Sequence, residues 1–273
     1  MSEILQLTMN LKTILLLMVV IASPALGLSK CPQCGYTIGC DDVSCPKCLK
    51  MFKTDYYYEK SAKSTLTVRY GTDSFIRHPQ ADNRTYKADR NSGADKTGQI
   101  GVWGGPCNLR YLINFDIAAE MKRLGIDFMK FKPKRAFLYL SALKNKSNID
   151  VPIVVFPLTR PFHGGLDFFR ERTVSPDDCT WYLSCDGIPW DTEGGDFNKE
   201  VKCKGIIKNG VRNIIDITKI IDYFYQQSKI NQNWSAPGII IMSDPDSKLI
   251  SGFVTVYSLE ANDYTLRPEL FIE

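Results

Sequence analysis

Histidine is the scarcest chemistry-bearing residue of this chain, with two in 273 residues, His78 and His163. So few leave little room for a His-rich metal centre or a Ser-His-Asp triad. Both stand in loop contexts, His78 before Pro79 and His163 before Gly164. An excess of one charge is also missing. Lys+Arg 34 against Asp+Glu 30 gives a net +4, too mild and too evenly spread to point to nucleic acid. No apolar run approaches the about 20 residues that cross a bilayer, so no stable transmembrane span is expected. Phosphate loops, nucleophile elbows, internal repeats and low-complexity tracts are absent as well. The remaining composition, 44% hydrophobic and 11% aromatic, fits a globular chain of one large domain with a small appendage.

The most apolar stretch is the nine-residue run Ile14 to Ala22. It follows Lys12 and leads through Ser23-Pro24 to the small-residue end Ala25-Leu26-Gly27. A basic start, a short apolar centre and this exit predict a cleaved signal peptide over 1–27. The mature chain is therefore expected outside the cytoplasm: secreted, periplasmic or on the cell surface. Met9 is an alternative start, because the residues before it add an acidic Glu3.

Nine cysteines are the unusual abundance. Cys31-Pro-Gln-Cys34-Gly35 and Cys45-Pro-Lys-Cys48 make two C-x-x-C turns that can present four thiolates to one tetrahedral Zn²⁺. Residues 28–50 thus resemble a zinc ribbon, with Cys31, Cys34, Cys45 and Cys48 as ligands. Four sulfurs close the shell and leave no position for catalytic water. Export favours the alternative, a pair of disulfides among the same cysteines. Cys40 is the odd one. Cys107, Cys179, Cys185 and Cys203 are expected to form two disulfides, Cys179–Cys185 first for its short loop. Buried free thiols are the alternative.

A polar stretch over 51–63 reads as a linker. Beyond it, over 64–273, short β-rich runs recur between Gly, Pro, Asn and Asp turns, as in Leu66–Tyr70, Leu109–Phe115, Arg135–Leu143 and Glu269–Ile272. This pattern predicts an all-β fold, an antiparallel β-sandwich. Two helices are expected to interrupt it. One is capped by Asp116 and stopped by Gly125; the other, capped by Asp216, carries Ile217, Ile220, Ile221, Phe224 and Tyr225 on one face.

Several ordered motifs in this region resemble DNRLRE domains, which belong with carbohydrate-binding module family 96 and the disaggregatase-related domains of secreted prokaryotic proteins. They are Gly71-Thr-Asp73-Ser-Phe75-Ile76-Arg77, Asn91-Ser-Gly93, Arg110-Tyr-Leu-Ile-Asn-Phe115-Asp116-Ile117 and Pro133-Lys-Arg-Ala-Phe-Leu-Tyr-Leu140. Thr180-Trp181, the run Pro189-Trp190-Asp191-Thr192-Glu193-Gly194-Gly195-Asp196, and Leu266-Arg267-Pro268-Glu269-Leu270 continue the series. The resemblance implies a jelly-roll-like sandwich and a non-catalytic role on polysaccharides, acidic ones such as alginate included. The zinc-ribbon-like segment departs from the family pattern. So does the lack of an accompanying catalytic domain, which shifts the expectation towards adhesion or envelope scaffolding. The partner is then a cell-surface glycan or, alternatively, an envelope protein.

Sugar rings stack on aromatic faces, and carboxylates suit the arginine fork. The ligand-binding candidates are therefore Arg77, Trp103, Arg110, Trp190 and Arg267, with Trp181 and Trp234 as further aromatics. Asp186, Asp191, Glu193 and Asp196 crowd one glycine-rich loop and form a candidate calcium set. Two of the same carboxylates would be the acid/base pair of the alternative reading, a polysaccharide hydrolase or lyase, although nothing in the sequence places two of them across a cleft.

Overall fold

The computed structural model describes the strands 28–30 and 37–39 and residues 65–79, 92–104, 107–126, 131–146, 148–165, 178–231 and 235–273. The chain divides into two compact units, Met1–Ser61 and Ala62–Glu273. In the first, β1 (Leu28–Lys30) and β2 (Thr37–Gly39) pair antiparallel, with Lys30 opposite Thr37. The expected leader, Cys31, Cys34, Cys40, Cys45, Cys48 and the linker all lie outside the described residues, as does Trp234.

The second unit runs β3 (Leu66–Val68), β4 (Gly71–Arg77), β5 (Thr97–Val102), β6 (Asn108–Phe115), α1 (Ile117–Leu124), β7 (Ala136–Ser141) and β8 (Val151–Pro157). It continues β9 (Leu183–Cys185), β10 (Ile188–Pro189), β11 (Cys203–Ile207), β12 (Arg212–Asp216), α2 (Thr218–Ile230), β13 (Ile239–Ser243), β14 (Gly252–Tyr257) and β15 (Glu269–Ile272). One sheet has seven strands, in the order β11-β8-β13-β6-β5-β14 with β4 also on β6. The other has four, β12-β7-β15-β3, and β9 pairs with β10 alone. Every pairing is antiparallel. The fold is all-β and sandwich-like, as the spacing of short strands predicts.

Alternation explains the layers. Along β6, Tyr111, Ile113 and Phe115 enter the core between the sheets, with Ile153 and Val155 of β8, Ile239 and Ile241 of β13, and Leu138 and Leu140 of β7. The opposite face of the large sheet is also apolar. Ile76, Leu112, Val154, Phe156, Ile240 and Met242 form a second cluster there, covered by Phe162, Cys179, Trp181 and Trp190 from the connection between β8 and β11. A sheet buried on both faces reads as continuous apolar runs, such as Val-Pro-Ile-Val-Val-Phe in β8.

Both helices lie where the sequence puts them. The Asp116 carboxylate accepts from the Ala119 N–H at 2.9 Å, and Gly125, at φ 65°, ends α1. The cap expected of Asp216 is corrected by one residue: Asp216 closes β12 and its carboxylate accepts from the Thr218 N–H, while Ile217 takes the N-cap position of α2 without a side-chain bond. Its Ile220, Ile221 and Phe224 join the main core.

The expectation of disulfides is corrected. Cys107, Cys179, Cys185 and Cys203 are free thiols, although Cys179 and Cys185 are near enough to interact. Cys107 packs with Leu109 and Phe253, Cys203 with the main core and Cys179 with the outer cluster, where buried sulfur serves as a small apolar side chain. Burial pushes the Cys179 thiol up to about 12, although Ser74 hydrogen-bonds it.

Leu138 is fully buried in the middle of the four-stranded sheet. Leu138→Ala is expected to cost about 2–5 kcal/mol in chemical denaturation, the usual range for a core leucine.

Candidate binding site

Arg110 occupies an outward position of β6, between Leu109 and Tyr111 of the inner face, and lies opposite Ile76 of β4. Its neighbours on that face are apolar, so the guanidinium ends among them. It lies over the Trp181 ring at 4.6 Å, and its Nη1 donates to the Gly194 carbonyl at 2.6 Å. Gly194, at φ 85°, also donates its N–H to the Trp181 carbonyl at 2.7 Å. A Cβ at 194 would come within 2.6 Å of Arg110 Nη1 and 2.7 Å of the Trp181 ring, so glycine is required there by both conformation and space.

The chemistry of this pair is unbalanced. Arg110 forms no ion pair among the described residues, and burial with no carboxylate to offset it draws the guanidinium down to about 10. Arg110 Nε and Trp181 Nε1 are each buried without a hydrogen-bond partner. Two contacting side chains thus hold N–H donors that lack acceptors, a rare condition in a folded interior. His78 closes the group, its ring 5.0 Å from that of Trp181 and nearly perpendicular. Burial, reinforced by the Arg110 charge, lowers the affinity of His78 for a proton, and Glu193 partly opposes this.

The acidic loop beside it is internally bound. Asp196 accepts from the N–H groups of Asp191 (2.9 Å) and Thr192 (2.7 Å), and it lies 3.6 Å from Arg160 Nε. Arg160 also pairs with Asp191 at 2.8 Å and donates to the Pro189 carbonyl. Asp186 sits at φ 48° in the turn between β9 and β10, away from that knot. Glu193 is the carboxylate felt by His78. Of the four carboxylates expected to hold calcium, Asp191 and Asp196 thus share Arg160, Glu193 lies towards His78 and Asp186 sits in the β9–β10 turn.

The five ligand-binding candidates do not form one set. Trp190 belongs to the outer cluster near Arg110, where its Nε1 donates to the Thr180 carbonyl. Arg77 points to the opposite face, over Phe75, and binds Gln99 Oε1 at 2.8 Å. Trp103 stands in the β5–β6 turn, 46% exposed and stacked on Phe253 with ring centroids 5.0 Å apart. Arg267 donates to the Ala261 carbonyl in the β14–β15 connection. Trp181 proves more central than Trp190. His78 reads in the sequence only as a loop residue and Gly194 only as part of the Gly-Gly-Asp motif, because their contacts with Trp181 and Arg110 join residues remote in the chain.

Among the described residues, no helix is long and apolar enough to cross a membrane. Compared with known families and with curated proteins, the chain matches no family model and no curated sequence.

Gly194→Ala is expected to destabilise the unit by about 1–3 kcal/mol and to separate Arg110 from Trp181. Thermal denaturation gives the first effect, and a shift of tryptophan emission towards that of a solvated ring reports the second.

Proposed function

We propose that this chain is an exported, non-catalytic carbohydrate-binding or adhesive module whose ligand is a polysaccharide, an acidic one above all. One observation carries the proposal: among the described residues Arg110 is a part-buried cation without a counter-charge, laid on Trp181, and both side chains keep an N–H without an acceptor. A uronate residue supplies what is missing, a carboxylate for the guanidinium fork and ring oxygens for further donors. The exposed Trp103, held flat against Phe253, offers a separate aromatic face for an uncharged part of a glycan. The sandwich architecture and the ordered DNRLRE-like motifs support the same assignment.

The two C-x-x-C turns are proposed to hold one structural zinc. Four thiolates in two tight turns suit a closed tetrahedral shell, and metal would stabilise a segment too short for its own core. A structural envelope role through protein contacts is favoured instead by Ile206 and Ile214, which stand 55% and 62% exposed on the neighbouring strands β11 and β12.

Affinity electrophoresis of the full chain is expected to show retardation by a uronate polymer and little by its neutral counterpart. Arg110→Lys should weaken the interaction at least about tenfold, because ammonium cannot reproduce the fork. Retardation by no polysaccharide overturns the proposal, and co-purification of one stoichiometric protein, insensitive to glycans, supports the envelope role. Elemental analysis is expected to give one zinc per chain, with four thiols protected until a chelator is added.

A further inference from the structure

A second group of titratable side chains lies away from Arg110, inside the margin of the sandwich. Asp73, on the inward face of β4, is 2% exposed. One of its oxygens, Oδ2, accepts from the Tyr111 hydroxyl of β6 at 2.5 Å and from the Leu259 N–H at 2.7 Å. The other, Oδ1, is buried with no N–H or O–H to accept from, and so is Oε2 of Glu260. Because Leu259, the residue before Glu260, donates its N–H to Asp73, the two carboxyls are brought together, and each feels the other's charge and side chain. Carboxylates are acceptors only, so a contact of this kind is repulsive unless a proton lies in it. One proton satisfies both oxygens at once.

The two partners belong to different parts of the fold. Asp73 is fixed by its strand. Glu260 belongs to the connection from β14 to β15, as does Leu259, whose side chain enters the main core; the connection is also tied by Ser258 N–H to the Lys96 carbonyl and by Arg212 Nη1 to the Thr265 carbonyl. Ser258 Oγ donates to the Asp95 carbonyl, Glu260 N–H to Ser258 Oγ, and Arg267 Nε to the Ala261 carbonyl. We propose that Asp73 and Glu260 form a proton-operated latch: one proton shared between the carboxyls holds the β14–β15 connection on the sheet, and its loss releases that connection.

The surrounding groups favour keeping the proton. Burial is the main cause that raises Asp73 well above the usual carboxylate range, and the Glu260 charge adds to it; Tyr111 and Leu259 pull the other way. Burial likewise raises Glu260, with Asp73, Ser258 and the Arg267 charge opposing. Tyr111 is itself pushed up by burial and by Asp73, so it remains a neutral donor. From the outer face, the Cys179 thiol also senses Asp73 and Asp178, and burial keeps it protonated. No cation among these groups forms an ion pair with Asp73 among the described residues.

The sign follows directly. Both carboxyls hold protons more tightly folded than unfolded, so above the ordinary carboxylate range the native state binds more protons than the unfolded state. Stability then falls as pH rises through the raised values. When the proton leaves, like charges in an apolar site repel, and Glu260, the less buried of the two, is the one able to reach water. The Leu259 amide reports the motion, since its acceptor is Asp73.

Amide hydrogen exchange of the full chain tests the latch. Protection of Leu259, corrected for intrinsic exchange, is expected to fall at least about tenfold between about pH 5 and about pH 8, the factor that each pKa unit of differential binding of one proton is worth. In Glu260→Gln the amide donates permanently, and protection should change less than about twofold over the same range. Wild-type protection that ignores pH, or an equal decline in Glu260→Gln, overturns the proposal. Should that variant fail to fold, the carboxyl carbon shifts of Asp73 and Glu260 in the unaltered chain decide: titration of both in the ordinary carboxylate range overturns it, and retention of a proton above that range supports it.

Discussion

Because β6 lies within the seven-stranded sheet with apolar side chains on both faces, the molecule has to bury that sheet twice. The inner face is covered by the four-stranded sheet, the usual solution for a sandwich. The outer face needs a second cover, and the long connection between β8 and β11 provides it with Phe162, Cys179, Trp181 and Trp190. Each large apolar side chain removed from water contributes about 1.5–3 kcal/mol, so Leu112, Phe156 and Ile240 together hold this connection down firmly. Irregular backbone is thereby given the fixed geometry that strands possess by pairing.

That second burial also creates the electrostatic oddity. A position that alternates outward on a solvated sheet would let an arginine extend freely into water. On β6 the same alternation carries Arg110 under a roof, where its charge is partly stripped of solvent and meets an indole, a carbonyl and no acid. The electrostatic cost of such an arrangement is not recovered by the fold, which would be served as well by an apolar side chain. Retaining it makes sense where something outside the chain completes it. Asp73 presents the inverse situation on the other face, an acid whose neighbour is a second acid. In both places the apolar packing leaves a polar remainder, a roofed cation in one case and two facing carboxyls in the other.

Local chemistry was readable from the sequence to the extent that it acts over a few residues. The strand of Leu109–Phe115 and the cap and stop of α1 at Asp116 and Gly125 follow from alternation and turn preference. The strand Cys203–Ile207 escaped because Lys204 and Gly205 break its apolar run; it is stabilised by pairing with β8, fifty residues earlier in the chain. The thiols were misjudged for a related reason. Cysteine spacing says how short a loop is, whereas Cys107, Cys179 and Cys203 are each surrounded by apolar side chains from remote segments. Motif order did select Arg110 and the Trp181 and Gly-Gly-Asp loops, yet nothing in the order says that the guanidinium lies on that indole. Arg110 and the Gly194 carbonyl to which it donates are 84 positions apart.

Gly194 carries a consequence for other sequences. A side chain at this position collides with both members of the stacked pair, so Arg110, Trp181 and Gly194 can coexist only as a trio. The trio therefore works as a three-letter signature for sorting chains of the same architecture. Those that keep all three letters retain the roofed cation, whereas a chain that has replaced the glycine must have rebuilt its outer face around some other side chain.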